Sequence, residues 1–257
     1  MAEITAVLVK QLRDATGISM LKCKQSLEEA NGDLEKAREV LRKLGEADAA
    51  KRSDKEAGEG VIAVKAEDGK AAMLQLFCET DFVAKGESFQ NLAAELVADA
   101  LVGKDIKTES EAKIQEAIQK NGENIKIGEV NILEGEKVAS YLHSNEKIGV
   151  LVSFSGADEI GKDIAMQVAA MNPSVLNPDE VDEAEVAKEA EIQKEILAKE
   201  GKPAEMIEKI MEGKLKKFRD SQSLVKQAFV KDSAKTVEAF LAENNAKVEK
   251  FVRLAIG

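Results

Sequence analysis

The stretch Val61-Ile62-Ala63-Val64-Lys65-Ala66-Glu67-Asp68-Gly69-Lys70-Ala71-Ala72-Met73-Leu74-Gln75-Leu76-Phe77-Cys78-Glu79-Thr80-Asp81-Phe82-Val83-Ala84 decides the fold. Residues 61–66 and 71–78 read as two apolar strands, rich in β-branched and large side chains. Glu67-Asp68-Gly69-Lys70 between them has the composition of a tight turn. Further on, Ser88 is placed to cap a helix whose Phe89, Leu92, Ala93, Leu96, Val97 and Ala100 fall on one face. The segment from Cys78 to Ala84 therefore lies at a strand-to-helix junction, a place where a rigid scaffold often presents functional residues. Only 4% of the chain is aromatic, so a Phe in this polar junction stands out. Two readings of it are open. Strand parity from Leu74 through Leu76, Cys78 and Thr80 puts Phe82 on the core face of the hairpin; alternatively, Phe82 is a functional side chain. Asp81 likewise reads as a helix cap or turn former.

The same order recurs downstream. Residues 137–143 and 147–154 form a second hairpin pattern, followed by a helix with Ile160, Ile164, Ala165, Val168 and Ala169 inward. Between the two copies, a helical stretch over 110–120 ends at Asn121-Gly122, and Ile125, Ile127 and the residues up to Leu133 supply a third strand. This weak internal repeat predicts two related subdomains, each an antiparallel sheet covered by helices, in an α+β arrangement. The second copy carries Ser155-Gly156-Ala157-Asp158 where the first has Glu79-Thr80-Asp81-Phe82, and the lack of an aromatic there favours function over packing for Phe82.

Outside the repeat, residues 4–45 read as three short helices with stops at Gly17 and Asn31-Gly32 and caps at Ser19 and Asp33. Val7, Leu8, Leu12, Leu21, Cys23, Leu27, Ala30, Leu34, Ala37, Val40, Leu41 and Leu44 are the expected core of this module, leaving Lys10, Arg13, Lys22 and Lys24 outside as a local basic surface. Residues 46–60 have the composition of a linker. From 179 to 218 the chain is densely charged at helical spacing and broken once, at Gly201-Lys202-Pro203. This predicts an antiparallel helical hairpin with Val186, Ala190, Ile192, Ile196 and Leu197 facing Ile207, Ile210, Met211, Leu215 and Phe218. A short helix near 237–241 and an apolar strand over 248–256 complete the second sheet. The expected division is 1–55 for the helical module and linker, 56–136 for the first subdomain, 137–178 with 224–257 for the second, and 179–223 for the inserted arm.

Composition excludes several function classes. The 257 residues carry 37 basic and 48 acidic side chains, a net charge of −11, which disfavours phosphate backbones and anionic lipid. Cys23 and Cys78 are far apart in sequence and in no metal-binding spacing, so both are expected reduced and buried. The N-terminus lacks a basic segment followed by an apolar run, and no stretch approaches the roughly 18 apolar residues of a membrane span, which predicts a cytoplasmic chain. A single histidine, His143, and the absence of nucleophile-elbow, P-loop or dinucleotide motifs leave no catalytic residues to nominate; no enzyme activity, cofactor or metal is expected.

Read in order, these motifs resemble the bacterial translation elongation factor Ts family. The resemblance runs over nearly the whole chain and rests on Val9-Lys10-Gln11-Leu12-Arg13-Asp14-Ala15-Thr16-Gly17, Met20-Leu21-Lys22-Cys23-Lys24, Glu29-Ala30-Asn31-Gly32-Asp33 and Thr80-Asp81-Phe82-Val83. It continues through Gly122-Glu123-Asn124-Ile125, Tyr141-Leu142-His143, Ile148-Gly149-Val150-Leu151-Val152, Ile164-Ala165-Met166-Gln167-Val168-Ala169-Ala170 and Glu212-Gly213-Lys214-Leu215-Lys216-Lys217-Phe218. It implies a ubiquitin-associated-like (UBA-like) N-terminal module that docks on the nucleotide-binding domain of elongation factor Tu through Lys10, Leu12, Arg13, Met20 and Lys24. It also implies guanine-nucleotide exchange, in which Thr80, Asp81, Phe82 and Val83 intrude between helices of that partner, disturb its magnesium site and loosen GDP. Gly122, Asn124, Ile125 and His143 are carried over as further contacts from the core, and the arm as a site of dimerisation or auxiliary contact. The implied partner is elongation factor Tu, GDP-bound and nucleotide-free, with a homodimer also admitted and neither nucleic acid nor membrane involved. The alternative is an adaptor or assembly scaffold built on the helical module, without exchange activity. The sequence departs from the family pattern at Ser144-Asn145-Glu146, in place of a Gly-rich turn, and at Gln227-Ala228-Phe229, in place of Gln-Pro-Phe. It stops at Gly257 without the helical extension of some members, so contacts from such an extension are expected to be absent.

Overall fold

A computed structural model describes residues 4–200 and 203–257. Helices α1 (Ala6–Thr16), α2 (Met20–Glu29) and α3 (Leu34–Arg52) open the chain. Their starts are capped as the sequence predicts: the Ser19 hydroxyl accepts from the Lys22 N–H, and the Asp33 carboxylate accepts from Glu35 and Lys36. The core of this module is Val9, Leu12, Ile18, Cys23, Leu27, Ala30, Ala37 and Leu41. Val7, Leu21 and Leu44, expected inside, are exposed. In the run Val7-Leu8-Val9 the helical phase is ambiguous, and the structure buries Val9, three residues before Leu12. Lys22 is not a free surface cation, since its Nζ pairs with Asp48 at 2.7 Å.

The first half of the expected linker is helical, and residues 53–58 form the irregular connection to the first strand. Helix α3 continues past residue 45 to Arg52, because Ala47, Ala49 and Ala50 are good helix formers and Asp48 is tied to α2. Its middle rests on a later helix, residues Glu111–Asn121, where the Gln119 side chain donates to the Leu41 carbonyl at 2.6 Å.

Strands β1 (Glu59–Glu67) and β2 (Lys70–Cys78) form the expected hairpin, with Ala66 opposite Ala71 and Gly69 taking the left-handed turn conformation at φ +73°. A one-turn helix α4 (Asp81–Ala84) follows, then α5 (Glu87–Leu101), α6 (Ile106–Glu109) and α7 (Glu111–Asn121). Gly86, not Ser88, occupies the N-cap of α5; Ser88 lies inside the first turn and its hydroxyl reaches Asn121. Strand β3 (Lys126–Glu134) pairs with β2, completing the sheet β1-β2-β3.

The second unit repeats the scheme. Strands β4 (Lys137–Leu142) and β5 (Ile148–Ser155) precede α8 (Asp158–Met171), and β8 (Lys247–Ala255) returns to pair with β5. Between them lie α9 (Glu183–Lys199), α10 (Ala204–Gln222), a ribbon of β6 (Ala228–Phe229) and β7 (Asp232–Thr236) that the sequence reading missed, and α11 (Val237–Glu243). In β6 the Ala228-Phe229 departure is accommodated: Ala228 pairs with Thr236, and Phe229 stacks on Phe240 with ring centroids 4.1 Å apart.

Each sheet buries one face under its own helix and the other against its counterpart. Val61, Ala72, Leu74 and Leu76 face α5, and Val150, Val152 and Phe154 face α8. The alternate residues Ile62, Ala71, Met73, Leu151 and Leu254 form a separate core between the sheets. Gly149 permits this approach: a Cβ there would stand 2.6 Å from both Ile62 Cγ2 and Met73 Sδ. The result is two sheets stacked back to back between helices.

The arm has the expected two helices, with Val186 and Leu197 buried. Ile192 and Ile196 are exposed, contrary to the pairing expected for them, because α9 turns only a narrow stripe toward α10. Lys214 on α10 reaches Gln193 on α9 at 2.6 Å, and Arg219 grips Glu183. Gly201 and Lys202 of the expected turn lie outside the described residues.

Candidate functional site

The Thr80–Ala84 turn is built by the end of β2. Strand parity stops at Cys78; Thr80 remains extended and acts as N-cap of α4, its hydroxyl accepting from the Val83 N–H at 3.4 Å. A helical turn rotates each residue by about 100°, which sends Ala84 inward and Phe82 outward. Phe82 is 85% exposed. The reading that made it the last core residue of the hairpin is therefore overturned, and so is the cap assignment for Asp81, since Thr80 fills that role. Asp81 is instead paired with Lys85 at 2.7 Å, a hydrogen bond that lowers its carboxyl below the ordinary range.

Two carboxylates hold this turn from below. Glu123 Oε2 accepts from the backbone N–H groups of Glu79 and Thr80 at 3.1 and 3.0 Å, while Oε1 accepts from the Thr80 hydroxyl at 2.6 Å. In the opposite direction, Glu79 Oε1 accepts from the Asn124 N–H at 2.7 Å and stands 3.3 Å from Arg52, with Lys55 beside its other oxygen. The Asn124 bond, then the two cations, hold the Glu79 carboxyl below its usual value. Burial and the Glu123 charge push the Cys78 thiol up to about 11, and its Sγ donates to the Thr80 carbonyl.

Gln90 brings in the second hairpin. Its Nε2 donates to the Ala84 carbonyl at 2.8 Å and to Glu146 Oε2 at 2.7 Å. Glu146, in the non-glycine turn Ser144-Asn145-Glu146, adopts a left-handed φ of +57°, and its carbonyl accepts from the Ile62 N–H at 2.7 Å. These contacts offset the strain that a glycine would avoid. His143 is exposed at the same turn, its Nδ1 2.9 Å from the Tyr141 hydroxyl.

The remaining nominated residues divide between surface and interior. Lys10, Arg13, Met20 and Lys24 are exposed, with Val7 and Leu21, missed as surface residues, one turn away from Lys10 and Lys24. Leu12 is fully buried and belongs to the module core, so its side chain is not offered to a partner. Asn124 and Ile125 are also buried: Asn124 donates to the Lys55 carbonyl at 2.6 Å, and Ile125 packs under α5. Gly122 ends α7 in a left-handed cap. The structure thus gathers Thr80–Val83, Gly122–Ile125 and the His143 turn around one junction. The N-terminal residues are joined to it through α3, by way of Arg52, and through α7, where Lys120 lies against Gly17. Among the described residues no group of three or more His, Cys, Asp or Glu is placed to hold a metal, and no helix is long and apolar enough to cross a membrane.

A family profile described as Elongation factor TS matches residues 79–257, and one described as UBA-like domain matches residues 6–41. Elongation factor Ts of Vibrio parahaemolyticus is 48% identical over 261 residues, spanning 100% of this chain and 92% of its own length. The chain belongs to the elongation factor Ts family. Elongation factor Ts proteins of Pasteurella multocida, 47% identical with 100% and 93% covered, and of Vibrio vulnificus, 47% identical with 99% and 92% covered, agree. Membership makes it an elongation factor of protein biosynthesis with a UBA-like N-terminal domain on an α+β core. In this chain, Gln90 and Arg52 went unnoticed in the sequence, where they resemble any other solvated polar residue, and Glu79 was placed at the junction without a role of its own. Glu123 carried one usable signal, its position directly after the capping Gly122.

Proposed function

We propose that the protein is a guanine-nucleotide exchange factor that binds elongation factor Tu and promotes GDP release. One observation carries this reading: a large aromatic, Phe82, is held out in solvent on a turn fixed at its base by charge-assisted hydrogen bonds. An unsupported exposed Phe gains nothing for folding; a supported one is suited to insertion into a partner. In this reading Phe82 and Asp81 enter between helices of elongation factor Tu and disturb its magnesium site, while Lys10, Arg13, Met20 and Lys24 hold its nucleotide-binding domain. Exchange requires no covalent step. It works by negative coupling, in which the factor and the nucleotide weaken each other's binding equally. Each tenfold loss of nucleotide affinity takes about 1.4 kcal/mol of differential binding.

The test is release of fluorescent GDP from elongation factor Tu with and without this protein, repeated with Phe82→Ala. Full burial of a Phe is worth about 1.5–3 kcal/mol, so the substitution is expected to slow maximal release by roughly 10- to 150-fold while leaving the melting temperature unchanged. No acceleration by the wild-type chain sinks the exchange reading. Binding without acceleration favours an adaptor built on the UBA-like module.

A further inference from the structure

We infer that Glu123 is the positioning residue of the exposed turn, its one carboxylate setting the pose of Phe82 through Thr80; for its part in exchange this rests on the proposed function above. At the end of β2 the backbone N–H groups of Glu79 and Thr80 have passed the last β3 partner, since the ladder closes at Phe77 opposite Lys126. Neither has a registered partner on β1 or β3. Glu123 Oε2 takes both, and Oε1 takes the Thr80 hydroxyl at 2.6 Å. That hydroxyl is the same atom that accepts from the Val83 N–H. The chain of bonds therefore runs from Glu123 through Thr80 to the helical turn that carries Phe82.

Three acceptor bonds from one anion to one short segment leave it little freedom, and bonds to a charged acceptor are about twice as strong as neutral ones. The position of Glu123 is itself fixed: the next residue's N–H is held by Glu79, and the Asn124 amide is anchored on the Lys55 carbonyl. Each carboxylate thus caps the backbone of the segment that bears the other. Arg52 and Lys55 offset the repulsion between them. Asn124, being buried, acts inside this brace.

The experiment compares Glu123→Ala, Glu123→Gln, Phe82→Ala and Glu123→Ala/Phe82→Ala in the full chain. Gln retains the shape: its oxygen accepts both N–H groups and its amide donates to the Thr80 hydroxyl. In the free protein, Glu123→Ala is expected to speed amide hydrogen exchange at Val83, Ala84 and Lys85 by about tenfold or more, with α8 and β8 unchanged and Glu123→Gln, which keeps the bonds but not the charge, between the two. In GDP release from elongation factor Tu, Glu123→Ala is expected to lower the maximal rate about tenfold or more, because small misplacement of an acting group is costly. The concentration for half-maximal effect changes much less, and Glu123→Ala adds nothing further once Phe82 is Ala. Losses that add in the double variant, or equal losses in Ala and Gln, overturn the positioning role. Should the wild-type chain fail to release GDP, the exchange reading falls alone, and the amide measurement still decides Glu123: unchanged protection of residues 83–85 in Glu123→Ala refutes the inference.

Discussion

Gly45→Ala should destabilise this protein, although the same exchange in a free helix does the reverse. Gly45 lies mid-helix in α3, buried against α7, and a Cβ built there stands 2.8 Å from Gln119 Oε1 and 3.0 Å from its Cδ. Replacing a helical Gly by Ala is worth about 1 kcal/mol in propensity. The methyl, however, must displace an amide whose Nε2 holds the Leu41 carbonyl at 2.6 Å. Leaving a buried amide unpaired costs about 1–3 kcal/mol, and a site that cannot relax adds about 1–3 kcal/mol for overpacking. The loss wins by about 1–5 kcal/mol, or roughly 2–20 °C in melting temperature at 2–4 °C per kcal/mol. Gly213→Ala is the control: it lies on α10, exposed, with nothing within 4 Å of an added Cβ, and should gain up to about 1 kcal/mol. Guanidinium titrations at 25 °C should therefore move the two midpoints in opposite directions. If Gly45→Ala stabilises as much as Gly213→Ala, the packing of α3 on Gln119 contributes nothing and the reasoning fails. In a Gln119→Ala background the obstruction is gone, and Gly45→Ala should become neutral or stabilising.

Leu12→Ala, truncating a fully buried side chain, should cost about 2–5 kcal/mol, whereas Met20→Ala, at the surface, should stay within about 0.5 kcal/mol; denaturation followed by circular dichroism separates them, and equal effects would contradict the assignment of Leu12 to the core. The Glu79 carboxyl is lowered from its ordinary 4.5, first by the Asn124 N–H. As acid is added the unfolded chain takes the proton first, so this contribution is complete above about pH 4.5 and is lost as pH falls through the folded value; Glu79→Gln should flatten that part of an acid titration of stability. Cys78, raised from 9.0 to about 11 by burial and then by Glu123, works in the other sense. The unfolded thiol ionises first, so stability is complete below pH 9 and declines as pH rises toward 11, and iodoacetamide at pH 8 should label Cys78 slowly until denaturant is added.

Alternating and helical patterns were legible wherever one face of an element is buried and the other wet. Both hairpins, α5, α8 and the caps at Ser19 and Asp33 follow from periodicity and turn chemistry alone. The stacking of the two sheets was hidden, because Ile62, Met73 and Leu151 look like any strand residues until a second apolar face is seen to need cover. Consecutive apolar residues leave helical phase undetermined, which is why Val7 and Leu21 were placed inside and Val9 was overlooked. Composition mistook 46–52 for linker, though not 53–58, because charge and small side chains suit both a solvated helix and a coil. At the candidate site, Phe82 was singled out by its contrast with its neighbours, yet parity pointed it the wrong way. Its outward pose depends on a one-turn helix whose supports, Glu79 and Glu123, lie 44 residues apart in the chain. No local pattern records such a meeting.

Helix α3 has a consequence for association. It runs unbroken for 19 residues, about 28 Å at 1.5 Å per residue, from the N-terminal helical module to Arg52 beside Glu79. A coil over the same stretch would let the module and the Phe82 turn search for a common target independently, and ordering that coil would cost free energy at each encounter. A rod supported at Gln119 and Glu79 settles that entropy during folding. Once either end has found its target, the other arrives at a fixed separation and bearing, with a high effective concentration on a surface of matching span and almost none on any other. The spacing between the two ends thus becomes a selectivity filter in its own right, independent of the residues displayed at either one.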